Sequence, residues 1–162
     1  MRTRHFIGID PGPIPGIVML TPRGFETRYD VDVIQCSAHT APLVLEALLS
    51  DNRADLGTAP VVVALERFVI GKTSMKSGGP GAVTRDLVGQ LENVARRHEG
   101  VSIAKRSAAD VKAWATDIRL AHAGLLEPTK GMRHAKDAAR HALYAAVKDG
   151  GLPDPLSRKA HR

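Results

Sequence analysis

The sequence holds a single cysteine, Cys36, among 162 residues. An intramolecular disulfide framework is therefore excluded, and the composition fits a reducing cytoplasm. No apolar run approaches the roughly 20 residues that cross a bilayer, so no membrane partner is expected. Asp10 and Pro11 interrupt the first apolar run before it could serve as a secretory h-region. Aromatic residues make up only 4% of the chain, which argues against extensive base stacking on single strands. Acids are too few to balance the bases. Asp and Glu number 17 against 23 Lys and Arg, and the formal charge of +6 favours an anionic partner, nucleic acid first. No internal repeat divides the chain, so one compact domain over residues 1–150 is expected, followed by a basic, proline-bearing, flexible tail over 151–162.

Two short apolar runs end on acids: Phe6-Ile7-Gly8-Ile9-Asp10 and Val61-Val62-Val63-Ala64-Leu65-Glu66. Both are continuous and β-branched, which marks buried strands. If they lie side by side and parallel, both carboxylates emerge at one sheet edge, where open α/β sheets bind ligands. Two further strands, Ile17–Leu20 and roughly 25–33, extend a meander after the Pro-Gly turn that follows Asp10. Thr40 is placed to cap a helix over about 42–50, with Leu43, Ala47 and Leu48 facing inward. A second helix over about 83–98 carries Val83, Leu87, Leu91 and Val94 on one stripe. Val101–Ala104 reads as a strand, Ser107 caps a helix to about Ala115, and residues 117–132 show a weak helical pattern around 118–123. A last helix over about 133–148 buries Ala135, Ala139, Leu143 and Ala146 and stops at Gly150-Gly151. The order predicts a mixed, five-stranded α/β sheet covered by helices on both faces.

Asp10 in an Asp-Pro-Gly turn could simply bond its own backbone. Glu66 serves no such turn, and a carboxylate closing an apolar strand is costly unless paired. His134 and Asp137 share a helix face at i and i+3, and His141 continues it one turn later. Three carboxylates and an imidazole point to a divalent-cation site, because hard cations favour oxygen-rich clusters. A zinc site from His134, Asp137 and His141 lacks a zinc-signature spacing, and a solvated stripe is the plain alternative. Gly71-Lys72-Thr73 resembles the end of a phosphate-binding loop, but the glycine required five residues earlier is Glu66. The 71–81 stretch is better read as a flexible basic loop whose Lys72 and Lys76 meet phosphate. Lys105, Arg106, Lys112, Arg119, Lys130 and Arg133 could together track a nucleic-acid backbone, fixing position and not sequence.

Together these segments resemble the RuvC-type Holliday junction resolvases of the RNase H-like superfamily. Ile7-Gly8-Ile9-Asp10-Pro11-Gly12 is similar to their opening motif, and Ala64-Leu65-Glu66 to their second acidic strand. His134-Ala135-Lys136-Asp137-Ala138-Ala139 is similar to their C-terminal helix, and Ser107–Lys112 to the segment that brings a lysine towards DNA. The likeness spans roughly residues 5–148 and looks most like the compact members encoded by phages. It implies an RNase H-like fold in which Asp10, Glu66, His134 and Asp137 hold two Mg²⁺ ions, with Mn²⁺ also supporting activity. His134 stands where many members carry Asp and some carry His. The implied reaction is two-metal phosphodiester hydrolysis of four-way and related branched DNA by a homodimer, in the host cytoplasm if phage-encoded. Phe68 follows Glu66 by two residues, one fewer than the family's junction-probing aromatic, and Trp114–Met132 replaces a Gly-rich stretch. Two other nuclease substrates, RNA–DNA hybrid and flap DNA, stay open at this point. A sugar-kinase-like ATP-binding domain is disfavoured by length, and a non-catalytic DNA-binding relic by the intact acid set.

Overall fold

Alternation along the two acid-ended strands decides which helices they meet. The computed structural model describes residues 4–23, 28–56, 59–67 and 80–157. In chain order they form β1 (His5–Asp10), β2 (Gly16–Pro22), β3 (Tyr29–Gln35), α1 (Ala41–Leu56), β4 (Val61–Glu66), α2 (Pro80–Arg96) and β5 (Val101–Arg106). Three further helices follow: α3 (Ala108–Trp114), α4 (Asp117–His122) and α5 (Arg133–Lys148). The five strands lie in the order β3-β2-β1-β4-β5. β1 pairs antiparallel with β2 and parallel with β4, and β4 pairs parallel with β5. The mixed five-stranded sheet expected from the sequence is the one observed.

Because side chains alternate along a strand, each strand feeds two cores. Ile7, Ile9, Val61, Val63 and Leu65 pack with Leu45, Leu49, Leu87 and Leu91 of α1 and α2. Phe6, Val62 and Ala64 pack on the opposite face with Ala135, Ala138, Ala139, Ala142 and Leu143 of α5. Gly8 and the alanines let α5 lie almost against the strand: a Cβ on Gly8 would run into the Ala138 carbonyl and the Ala142 amide. Gly16 is bound in the same way, since a Cβ there would strike the His134 backbone. The start of α5 is thereby pinned against the end of β1.

Several element edges differ from expectation. α1 buries Ala41, Leu45 and Leu49, whereas Leu43 and Ala47 are exposed and Leu48 is half-buried, a helical phase shifted from the one predicted. Its entry is capped by Ser37, whose Oγ accepts from the Thr40 amide and bonds the Thr40 hydroxyl. Val83 is exposed on α2, although Leu87, Leu91 and Val94 are buried as expected. β2 and β5 are longer than predicted, and β3 begins at Tyr29. The Ser107 cap is present: its side chain accepts from the Asp110 amide. α4 forms over 117–122, capped by Thr116. α5 stops as the glycines suggested, with Gly151 at φ +70° and the Gly150 and Leu152 amides closing on the Ala145 and Ala146 carbonyls. After it, Asp154 pairs with Arg119, which also lies over the Trp114 ring. No helix among the described residues is long and apolar enough to cross a membrane.

Candidate metal centre

Parallel pairing of β1 with β4 sets Ile9 opposite Leu65. One step further in the same register brings Asp10 and Glu66 together at the carboxyl edge, both on the face that meets α5. Asp10 is buried and Glu66 half-buried. From α5, His134 Nδ1 lies 2.8 Å from Asp10 Oδ2. Gly12 leaves room for that ring, since a Cβ there would sit 3.1 Å from His134 Cε1. One turn on, Asp137 is buried and accepts from Lys112 Nζ at 2.9 Å and from the Arg140 guanidinium. Another turn on, His141 Nε2 lies 3.4 Å from Glu66 Oε2.

The charges of this group act on one another. Burial pushes the Asp10 carboxyl upward, the His134 hydrogen bond opposes it, and the charges of Glu66 and Asp137 add to the rise. Asp137 goes the other way. Burial alone would raise it, but hydrogen bonds and charge from Lys112 and Arg140 outweigh burial and hold it below the usual carboxylate range. The same element of charge thus repels Asp10 and is neutralised at Asp137.

This donor set suits a hard divalent cation. Three carboxylates crowd one sheet edge, and the ionisation of Asp10 is opposed by the other two, a repulsion that a cation relieves. As the side chains stand, no three acid or imidazole groups among the described residues close around a single point. The reason is visible at Asp137, both of whose oxygens are held by Lys112 and Arg140.

The remaining sequence candidates divide. Lys112 joins the acid group, as just described. Lys105 pairs with Glu92 on α2, away from the acids. Arg106 pairs with Asp149 at 2.6 Å and lies 5.1 Å from the Tyr144 ring centroid. Phe68, Lys72 and Lys76 lie outside the described residues, as does the expected 71–81 loop up to residue 79, whereas Pro80 and Gly81 belong to α2 and not to that loop. Arg67, missed by the sequence reading, is exposed immediately after Glu66. It lines an open cavity of about 420 Å³ with Lys105, Arg106, Ser107 and Tyr144. Arg140 was expected only as a nearby pairing partner in the solvated-stripe reading of His134 and Asp137. It is only 15% exposed in its side chain and ties Asp137 of α5 to Asp117 of α4 and the Ala115 carbonyl. Its i+3 spacing from Asp137 was a signal in the sequence, although it read equally well as a solvated pair.

No family model matches the sequence, and no curated protein does. Among solved structures, the fold is similar to Thermus thermophilus RuvC in complex with a Holliday junction substrate, with a TM-score of 0.59 and 21% identity over 94% of this chain and 99% of that one. A second Thermus thermophilus RuvC structure matches with a TM-score of 0.58 and 20% identity over the same shares. The chain shares the fold of these two structures.

Proposed function

We propose that this protein is a divalent-metal-dependent endonuclease that cuts branched DNA, four-way junctions above all, in the manner of the RuvC-type resolvases. The observation that carries the reading is the Asp10–Glu66–Asp137 group with His134 at the carboxyl edge of β1 and β4, where Glu66 and Asp137 oppose the ionisation of buried Asp10. The fold likeness to a RuvC bound to a Holliday junction supports the substrate class.

Asp10, Glu66, Asp137 and His134 would hold two ions, Mg²⁺ or Mn²⁺. When bound, such ions supply Lewis acidity at a phosphodiester and an acidified water for in-line displacement of the 3′ oxygen. The chain's residues do the rest. Asp10, at the end of the central strand, would be a ligand to these ions beside Glu66. His134 holds one Asp10 oxygen in place through its Nδ1 contact. Lys112, already inside the acid group, carries a positive charge to where a phosphate would lie. Arg67 and the cavity beside it would grip the backbone without reading bases, and Lys72 and Lys76 are proposed from the sequence to add to that grip. A four-way junction offers two strands to cut, and a homodimer would present two such sites. The face of α2 that exposes Val83 is the proposed contact.

The test compares cleavage of a four-way junction, a flap, a duplex and an RNA–DNA hybrid in Mg²⁺ and in Mn²⁺. The reading requires the junction to be cut fastest. Preference for the hybrid would move the protein to a different nuclease class on the same fold.

A further inference from the structure

His141 continues the His134–Asp137 face of α5 into the part of the helix that is otherwise buried Ala and Leu. It lies on α5 among Ala138, Ala142, Leu143 and Ala145, and only 3% of it is exposed. Burying an imidazole there has a cost unless something takes up its N–H. Yet Nε2 has no well-formed hydrogen bond, and its contact is Glu66 Oε2 at 3.4 Å, within ion-pair range but longer than a good hydrogen bond. A buried ring nitrogen with no completed hydrogen bond, 3.4 Å from one oxygen of a carboxylate at this sheet edge, has no evident packing purpose, since leucine would fill the same stripe more cheaply.

We propose that His141 is a positioning residue for Glu66: its Nε2–H donates to Glu66 Oε2 and so fixes which carboxylate oxygen turns towards a bound divalent cation. The proposal rests on the metal-site reading above and deepens it. Residues that hydrogen-bond ligating carboxylates hold their orientation, and losing them commonly weakens metal binding by about 10–100-fold. His141 touches neither cation nor DNA in this role. It acts through Glu66 alone.

The experiment uses the full chain as wild type, His141→Leu and His141→Gln. Each is titrated with Mn²⁺ by calorimetry and melted with and without Mn²⁺. Four-way-junction cleavage is followed under single-turnover conditions, and junction binding is measured in Ca²⁺. Gln can place its amide N–H near the position of Nε2, whereas Leu only fills the space. His141→Leu should melt at or above the wild type without metal, bind Mn²⁺ about 10–100-fold more weakly, cut proportionately more slowly and bind the junction unchanged. His141→Gln should recover most of the Mn²⁺ affinity. In metal-free wild type, the imidazole ¹⁵N spectrum should show the Nε2–H tautomer at His141, and Glu66→Gln should shift that signal. Leu and wild type binding Mn²⁺ equally would overturn the proposal while leaving the metal site standing. A wild type that binds no Mn²⁺ and cuts no junction would overturn the metal reading itself. An imidazole signal indifferent to Glu66→Gln would overturn the contact whatever the metal does.

Discussion

Asp10 is the residue whose surroundings most clearly set function against stability. Its carboxyl is pushed up by burial and by Glu66 and Asp137, with His134 pulling the other way. The folded chain therefore holds the Asp10 proton more tightly than the unfolded chain, whose value is about 3.9. Between that value and the higher folded one, stability falls as pH rises, and at neutral pH the ionised carboxylate is a cost to the metal-free fold. Asp10→Asn should accordingly abolish cleavage yet raise the melting temperature of metal-free protein at neutral pH. The gain should shrink as the pH falls towards the ordinary aspartate range. Thermal melts of both proteins across pH in a chelator check this, and a destabilised Asp10→Asn would mean the carboxylate is better solvated than its burial implies. His134 yields a second residue-scale expectation. Its imidazole offers nitrogen where Mg²⁺ prefers oxygen, while Mn²⁺ accepts nitrogen more readily. Mn²⁺ should support cleavage at least as well as Mg²⁺. His134→Asp should retain part of the activity and move the preference towards Mg²⁺, and His134→Ala should lose far more. Rates of the three proteins in each metal decide it; full activity of His134→Ala would reduce the ring to a support for Asp10.

At the scale of elements, the legible parts were those in which one residue pattern admits one environment. β1 and β4 were readable because a short β-branched run ending in an acid has few homes, and α5 because Ala135, Ala139, Leu143 and Ala146 repeat at helical spacing. The phase of α1 was not, because Leu43, Leu45, Leu48 and Leu49 surround much of its circumference, and only packing on Ile7 and Ile9 selects Leu45 and Leu49. The site divides in the same way. Asp10, Glu66, His134 and Asp137 stood out by their places at strand ends and on one helix face. Arg140 stands beside Asp137 in the sequence, but its tie to Asp117 depends on a partner more distant in sequence, and His141 could be seen on the face but not matched to Glu66. Gly8 shows how little of the close strand–helix contact a sequence declares. A methyl group there would meet backbone atoms of α5, which cannot yield as a side chain can. Gly8→Ala should cost at least the upper part of the roughly 1–3 kcal/mol typical of overpacking. It should also weaken Mn²⁺ binding, because α5 carries His134 and Asp137 away from Asp10 as it moves. Chemical denaturation with and without metal measures both, and an unchanged midpoint would show that α5 does not bear on β1 as closely as described.

For the whole molecule, the excess of six positive charges matters less than where it is free to act. Many described cations are already paired: Lys105 with Glu92, Arg106 with Asp149, Lys136 with Asp117, Arg119 with Asp154. Such pairs on a surface contribute little to stability, but each must be loosened before its cation can neutralise a phosphate. Among the described residues, exposed Arg67 follows Glu66 directly, and the sequence adds Lys72 and Lys76 as the further cations proposed to meet DNA. Each phosphate contact on duplex arms releases condensed counterions and adds about 0.9 to the steepness with which log affinity falls against log salt. Replacing Lys72 and Lys76 together by Ala should weaken junction binding and flatten that slope by up to about 1.8. Replacing Lys105 should change it far less, because that lysine begins tied to Glu92. The contrast separates a localised grip from a diffuse positive field, which would lower affinity for every lost charge by a similar amount. Junction binding in Ca²⁺, measured over a series of salt concentrations for the three proteins, gives the slopes directly. Equal slopes for the double variant and the wild type would remove the loop from the interface and leave Arg67 and Lys112 as the cations beside the cleaved strand.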